Sequence, residues 1–400
     1  MPSKLLKENL VIIAVLSLFL CIIFYDVIFL GKTFKVTTGN PQALNTGPYG
    51  QEDNKLRYFP VQSTDSSNVE EPIQEFIKKC LWQGFLPLWN PHQGCGYPLI
   101  GMMQVGLFFP LNYILYLLPQ LYAWDLMILS RIFFAGLFTY WLMRTFKFGK
   151  IPSLGAAIVY AFNGPLIVLH GWYANVDILT PLLLLSVERL IRKANLANYC
   201  CATAAITLTL LAGHAEHILL IHVLGFAFFC FRLSTIKPHA KKIKTISYLF
   251  FSYLLSAGIA SIILLPFLHN WVTEFWHTHP ANMGLLNECV GKAFRMFITL
   301  IIPNFFQKEP VLSNLTRTEV SWWGYIGIIA FMLSFCSLFS RQKQKLNYFF
   351  AVTAFVIFSK TYLNIPFINW IGYLPLLKHC RFYLHTPFLF SFTVAILSGM

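Results

Sequence analysis

Charge is what this chain has least of. Asp, Glu, Lys and Arg make up 12% of its 400 residues, about half the share of a typical soluble domain, so an ordinary water-solvated fold is excluded. Acidic side chains are the scarcer kind, 16 against 30 basic ones. The nine cysteines contain no C-x-x-C pair and no zinc-type spacing, which removes a thioredoxin-like motif and a zinc ribbon from consideration. Internal repeats, heptads and low-complexity tracts are also missing, so neither a solenoid nor a coiled coil fits. No small-x-small cleavage site follows the first apolar run, which therefore reads as a retained span and not as a secretory leader.

What the sequence does have is long apolar runs. From Asn9 to Tyr25 there are 17 consecutive uncharged residues, close to the ~20 needed to cross a hydrocarbon core. The net charge of +14 is broken into short clusters between such runs: Lys4 and Lys7; Arg144, Lys147 and Lys150; Arg189, Arg192 and Lys193; Arg232, Lys237, Lys241, Lys242 and Lys244; Arg341, Lys343 and Lys345. Short basic loops mark the cytoplasmic side of a membrane protein, so this pattern speaks for topology and against nucleic acid. Placing every cluster inside, with the N-terminus cytoplasmic, predicts an all-α membrane domain over 1–400. Its ten spans fall near 8–30, 122–143, 152–170, 176–191, 198–213, 217–232, 246–268, 321–340, 347–361 and 383–400. Two long loops, 31–105 and 269–320, then lie outside, and chemistry is expected there. The chain stops inside an apolar run at Met400, as a piece of a longer protein would.

Cys21, Cys200, Cys201, Cys230 and Cys336 sit in apolar runs and read as core residues. Cys80, Cys95 and Cys289 fall on the outer side, where a disulfide is allowed. Arg131 lies within an apolar run and must face the bundle, because a charge at mid-membrane costs ~2.5–3.5 kcal/mol on insertion scales. Nine of the eleven histidines fall at or beyond the outer interface. His214 and His217 are three apart, with Glu216 between; no metal-ligand set is complete in the sequence, so no cofactor is expected, although a divalent metal stays open.

The first outer loop carries the sharpest motifs. GPYGQEDNKLRYFP at 47–60 places Glu52 and Asp53 shortly before Arg57-Tyr58-Phe59-Pro60. EEPIQEFIKKCLWQGF has the apolar spacing of a helix lying on the membrane surface. QGFLPLWNPHQGCGYP at 83–98 cannot be a spanning helix, because three prolines each fix φ and remove a donor. GMMQVGLFFPLNYILYLLP reads as a helix dipping into the interface, with Pro110 at its centre.

D-x-x-x-R-Y-F-P, G-x-L-P-L-W-N-P-x-x-x-x-G-x-P and G-x-F-F-P-L-N, in this order, resemble the first-loop signature of YfhO-type bacterial membrane proteins. That group resembles the GT-C glycosyltransferases, multispan enzymes that use polyprenyl-phosphate sugars. DILTPLLLLSVER from Asp177, GHAEH at 213–217 (with Ala215 and Glu216 as departures from Gly-His-Pro-Gln), EVSWWGYIG at 319–327 and LPLLKHCRFYLHTPFL continue the likeness along the chain. The resemblance implies a catalytic carboxylate at Asp53, with Glu52 beside it as the second candidate, in a bacterial plasma membrane protein. A base of this kind takes the acceptor hydroxyl's proton as the anomeric carbon is attacked. Arg57 and Arg381 are suited to the leaving phosphate, since guanidinium matches its oxygens in a bidentate way. Tyr58, Trp89, Asn90, His92, Asp177, His214 and Glu216 complete the expected substrate pocket. The implied partners are a polyprenyl-phosphate-linked sugar donor, an envelope glycan or lipid acceptor, and the bilayer itself. The rival reading is a transporter or flippase for a lipid-linked saccharide or small molecule, which would place ionisable groups at mid-membrane in two related halves.

Overall fold

The computed structural model describes residues 2–35, 69–168, 171–236, 239–275, 298, 300, 302, 325–340, 342–363 and 365–400. Glu52, Asp53, Arg57 and Tyr58 lie outside these residues, as do most of the second outer loop, His170 and residues 319–324 of EVSWWGYIG.

The described chain is α-helical apart from a two-residue antiparallel hairpin that pairs Trp89 with Pro98 and Asn90 with Tyr97. Among the described residues, four helices are long and apolar enough to cross a membrane: Leu6–Ile23, Tyr122–Thr145, Ala215–Leu233 and Gln344–Leu363. Ala240–Ile259 and Ser261–Thr273 together are apolar enough for a fifth crossing, but they meet at 77°. The uninterrupted span expected over 246–268 is therefore bent. Helical geometry lapses at Ala260, and Pro266 in the next helix cannot donate to the preceding turn. Other expected spans are shorter apolar helices, among them Lys150–Ala161, Leu196–Leu211 and Pro387–Ser398.

Their shortness has a packing reason. Thr180–Arg192 is buried on almost every side, and it packs on the helices Gln120–Thr145, Leu196–Leu211 and Ala215–Leu233. A helix buried all round sits inside a bundle, where neighbouring protein takes the place of lipid. Pro387–Ser398 is likewise buried from Pro387 to Leu397, against Gln344–Phe358 and Ile328–Cys336. The long helices instead expose apolar faces such as Leu10, Leu18 and Ile22, Phe250, Phe251 and Leu254, or Val352 and Phe355. Faces this apolar and this exposed are what a bilayer covers. Cys200, Cys201, Cys230 and Cys336 lie on such exposed surface, which corrects their reading as core residues, and Cys80 and Cys95 are free thiols.

The basic clusters converge on one end. Arg144 and Lys150 both pair with Glu8, and Lys241 donates to the Arg192 carbonyl. Lys147, Arg192, Arg232, Lys343 and Lys345 line one pocket, with Glu188 as the only acid among the described residues lining it. His217 and Arg232 lie fifteen residues apart on the Ala215–Leu233 helix, or ~22 Å at 1.5 Å per residue. The outer-loop elements pack at the far end.

There the surface helix forms over Glu71–Trp82. It turns its apolar face, Ile73 and Ile77, into a core with Phe24, Phe34 and Trp124, and so lies against protein where a membrane surface was expected. The long interfacial helix around Pro110 is not formed. Pro110 opens a short 3-10 turn, Pro110–Asn112, and Tyr113–Leu117 is a separate helix. Pro110 has no N–H to continue a helix through its own position.

Candidate functional site

At the end opposite the basic pocket, five titratable side chains meet. His214 ends the turn after Leu196–Leu211, and its ring nitrogen accepts from the His217 backbone N–H at 3.3 Å, capping Ala215–Leu233. That cap sets His217 in the first helical turn, where Nδ1 meets Asp177 Oδ1 at 2.6 Å and Nε2 meets His385 Nδ1 at 3.0 Å. His385 Nε2 lies 3.5 Å from Glu216 Oε2, and Glu216 accepts the Arg381 backbone N–H at 2.9 Å. A continuous line of polar atoms thus runs Asp177–His217–His385–Glu216. Tyr173 packs its ring against all three imidazoles at 4.6–5.7 Å between centroids, and Phe388 stacks on His217. Asp177, His214, His217 and His385 are each at most 5% exposed. Ring nitrogens of the three histidines all lie within 4.8 Å of one another, close enough to share one ion.

A second buried network braces the first. Arg131 faces the bundle, as its position in an apolar helix demands. Its Nε donates to Asn175 Oδ1 at 2.8 Å and its Nη1 reaches the Gly171 carbonyl at 3.3 Å, with Glu70 and Asp177 near enough to act on its charge. Asn175 donates to Asn112, which in turn donates to the carbonyls of Val105 and Gly106. Glu70 accepts from the Trp172 N–H. Two glycines let the outer loop approach this closely. At Gly106, with φ +59°, a Cβ would stand 2.8 Å from the Ala212 carbonyl oxygen; at Gly213, with φ +124°, it would stand 2.7 Å from that of Gln104. Only a residue without a side chain fits either conformation and either gap.

Of the residues expected to bind substrate, the structure brings Asp177, His214, Glu216 and Arg381 together. Asp177 does not cap a span; Leu179 holds that position for Thr180–Arg192 without a side-chain bond. Trp89, Asn90 and His92 serve the hairpin. Asn90 is buried and binds the Tyr97 hydroxyl and the His92 N–H, while His92 packs edge-on to Phe76. Trp89 is exposed, alongside Trp82, Phe85, Leu86 and Leu88. This apolar rim is suited to the membrane interface.

The sequence reading missed His217 and His385 as site members, and Tyr173, Asn175 and Asn112 as their support. The second histidine of GHAEH was the available signal: a residue three beyond a capping side chain belongs to the first helical turn. Nothing local marks His385, which lies 168 residues from His217.

An apolar groove of about 680 Å³ adjoins the site. It runs along Ala215–Leu233 and Gln344–Phe358 from Phe231 and Lys345 to Lys360, Phe382 and Thr386. At its far end Thr386 Oγ1 and Thr361 Oγ1 are 2.5 Å apart, one residue from His385 and from Lys360. The Lys360 ammonium lies over the Phe382 ring and contacts Asn369.

Residues 71–377 match the family model of the bacterial membrane protein YfhO, while no curated protein and no solved structure matches the chain. The matched segment takes in the hairpin, the Gly106–Asn112 turn, Arg131, Asp177 and the His214–His217 turn. It begins after Asp53 and ends before Arg381 and His385. Covering well over half of the 400 residues, it establishes that the chain belongs to the YfhO family of bacterial membrane proteins.

Proposed function

We propose that this protein is a glycosyltransferase of GT-C type, moving a sugar from a polyprenyl-phosphate carrier to an envelope glycan or lipid at the extracytoplasmic face of the plasma membrane through a ten-pass fold. The observation that carries the reading is the groove. A polyprenyl tail needs an apolar channel along the helices, and its phosphate needs cations where the channel ends. The groove is apolar along its length, and it ends at Lys360 beside a buried polar cluster. In the proposed reaction the acceptor hydroxyl attacks the anomeric carbon as its proton passes to Asp53, or to Glu52. The bond to the phosphate oxygen breaks, and polyprenyl phosphate leaves with its charge met by Arg57, Arg381 and Lys360. Tyr58, Trp89, Asn90 and His92 are assigned to the acceptor side. Asp177, His214 and Glu216 fix the wall against which the sugar is placed. Such positioning supplies much of the rate in a two-substrate transfer.

One observation favours the second reading, a flippase for a lipid-linked saccharide. The groove's other end, at Phe231 and Lys345, adjoins the pocket of five cations and one carboxylate, so an anionic headgroup is provided for at both ends. The test is envelope glycan composition in a deletion strain complemented with wild type or with Asp53→Asn at equal protein level. Loss of one sugar modification that wild type restores and Asp53→Asn does not supports transfer. Full complementation by Asp53→Asn and by Glu52→Gln removes the transferase reading and leaves the flippase.

A further inference from the structure

We infer that His214, His217 and His385 bind a divalent transition metal, zinc foremost, with Asp177 and Glu216 as the carboxylates that orient two of the ligands. The inference is independent of the transfer chemistry. It starts from the hydrogen atoms the two rings carry. His217 directs Nδ1 at Asp177, 2.6 Å away, and His385 directs Nε2 at Glu216, 3.5 Å away. With the N–H of each ring on the nitrogen beside the carboxylate, the other nitrogen is left to act as a ligand. His217 Nε2 and His385 Nδ1 then stand 3.0 Å apart, a separation bridged by a shared proton or by one metal ion bound to both rings.

The spacing suits a metal. Two nitrogens bound to tetrahedral zinc at ~2.0–2.1 Å stand ~3.3 Å apart, so the rings need to part by only a few tenths of an ångström. The third ring, His214, makes one long hydrogen bond, the 3.3 Å cap contact, which it gives up on binding a metal, and one of its nitrogens lies within 4.8 Å of the other ligand atoms. Three imidazoles select zinc, copper or nickel over magnesium and calcium, which prefer oxygen. Carboxylates on the outer nitrogens of metal-bound histidines are the recurrent supporting shell of such sites.

The surrounding charge agrees. Asp177 and Glu216 bring two carboxylates to the histidine cluster. Asp177 Oδ2 is buried with no hydrogen-bond partner among the described residues. With three protein ligands a zinc ion would keep a fourth position for another ligand, as in zinc sites that bind a further molecule.

The experiment is metal analysis of the full chain purified in detergent after a chelator wash, with no substrate present. We expect about one zinc per chain in wild type and in His222→Gln. His222 is a buried histidine bonded to Thr209 and Tyr253, away from the cluster, and controls for histidine loss in general. His217→Ala and His385→Ala should lose the metal, and Asp177→Asn, acting through His217, should weaken affinity roughly 10–100-fold. Where a variant does not survive purification, cobalt titration of the wild-type protein decides: a tetrahedral d–d absorption that zinc abolishes supports the site. Wild type that stays metal-free after growth in zinc and gives no such band overturns it, as does retention of the metal by folded His217→Ala and His385→Ala. In that event a proton is shared between the two rings.

Discussion

Glu188 tests how the basic end is held together. Its side chain is 0% exposed and takes three bonds: Arg192 Nε to Oε1 at 2.7 Å, Arg232 Nη2 to Oε1 at 2.8 Å and Arg232 Nε to Oε2 at 2.8 Å. At ~1.5–3 kcal/mol for each bond to a charged group, a simple sum for Glu188→Ala overshoots. The two guanidinium side chains are 34% and 23% exposed and turn to water once the carboxylate is gone. Removing one partner of a fully buried pair costs about 3–5 kcal/mol, and partial rehydration lowers this to about 2–3. The loss is not nil, because Lys147, Lys343 and Lys345 line the same pocket, which then holds five cations and no acid. Glu188→Gln retains one acceptor oxygen and should lose about half as much. Thermal unfolding in detergent at one fixed scan rate, which matters because such unfolding is often irreversible, should rank wild type above Glu188→Gln above Glu188→Ala. A double-variant cycle with Arg232→Ala should show a coupling of ~1–2 kcal/mol. Glu188→Ala melting with wild type, or effects that simply add, would refute the argument that this carboxylate joins the two helices.

Gly106→Ala should destabilise by roughly 1–3 kcal/mol, from left-handed strain and from a Cβ 2.8 Å from the Ala212 carbonyl oxygen. In Gly155→Ala the Cβ meets nothing within 4 Å, and the change should be neutral or stabilising by up to about 1 kcal/mol in a helix; equal melting of the two variants would contradict the account of the loop's close approach. Lys35 gives a pH signature. Burial holds its ammonium below the ordinary lysine value of 10.5, although Glu71, 4.0 Å away, pulls the other way. The folded protein therefore releases this proton before the unfolded chain does, so the unfolded chain binds more protons in the window between the lowered value and 10.5. Stability contributed by this group rises with pH across that window. Comparing alkaline melting curves of wild type and Lys35→Met should show that slope in wild type alone; an unchanged slope in the variant would assign it elsewhere.

The sequence made the membrane setting, the single basic end and the buried arginine legible, because each follows from a rule that acts residue by residue. A lysine cluster stays out of the hydrocarbon wherever it occurs, and Arg131 in an apolar helix has to face protein. Span lengths were less legible, for a different reason. Hydropathy measures contact with lipid, but Thr180–Arg192 and Pro387–Ser398 are surrounded by other helices, so their length is set by neighbours and not by bilayer thickness. The same distinction separates the motif residues from the buried polar cluster. Asn90 and Asn112, with Gly106 and Gly213, lie in the signatures that stand out in the sequence. In the structure they satisfy backbone groups or let one loop approach another, work that requires a fixed residue at a fixed turn. Asp177, His217 and His385 lie on three different helices and meet only because those helices pack. A glycine-and-proline signature therefore locates the wall of a site such as this one. The polar cluster is found by asking which buried titratable residues lie beside that wall, and that question needs coordinates.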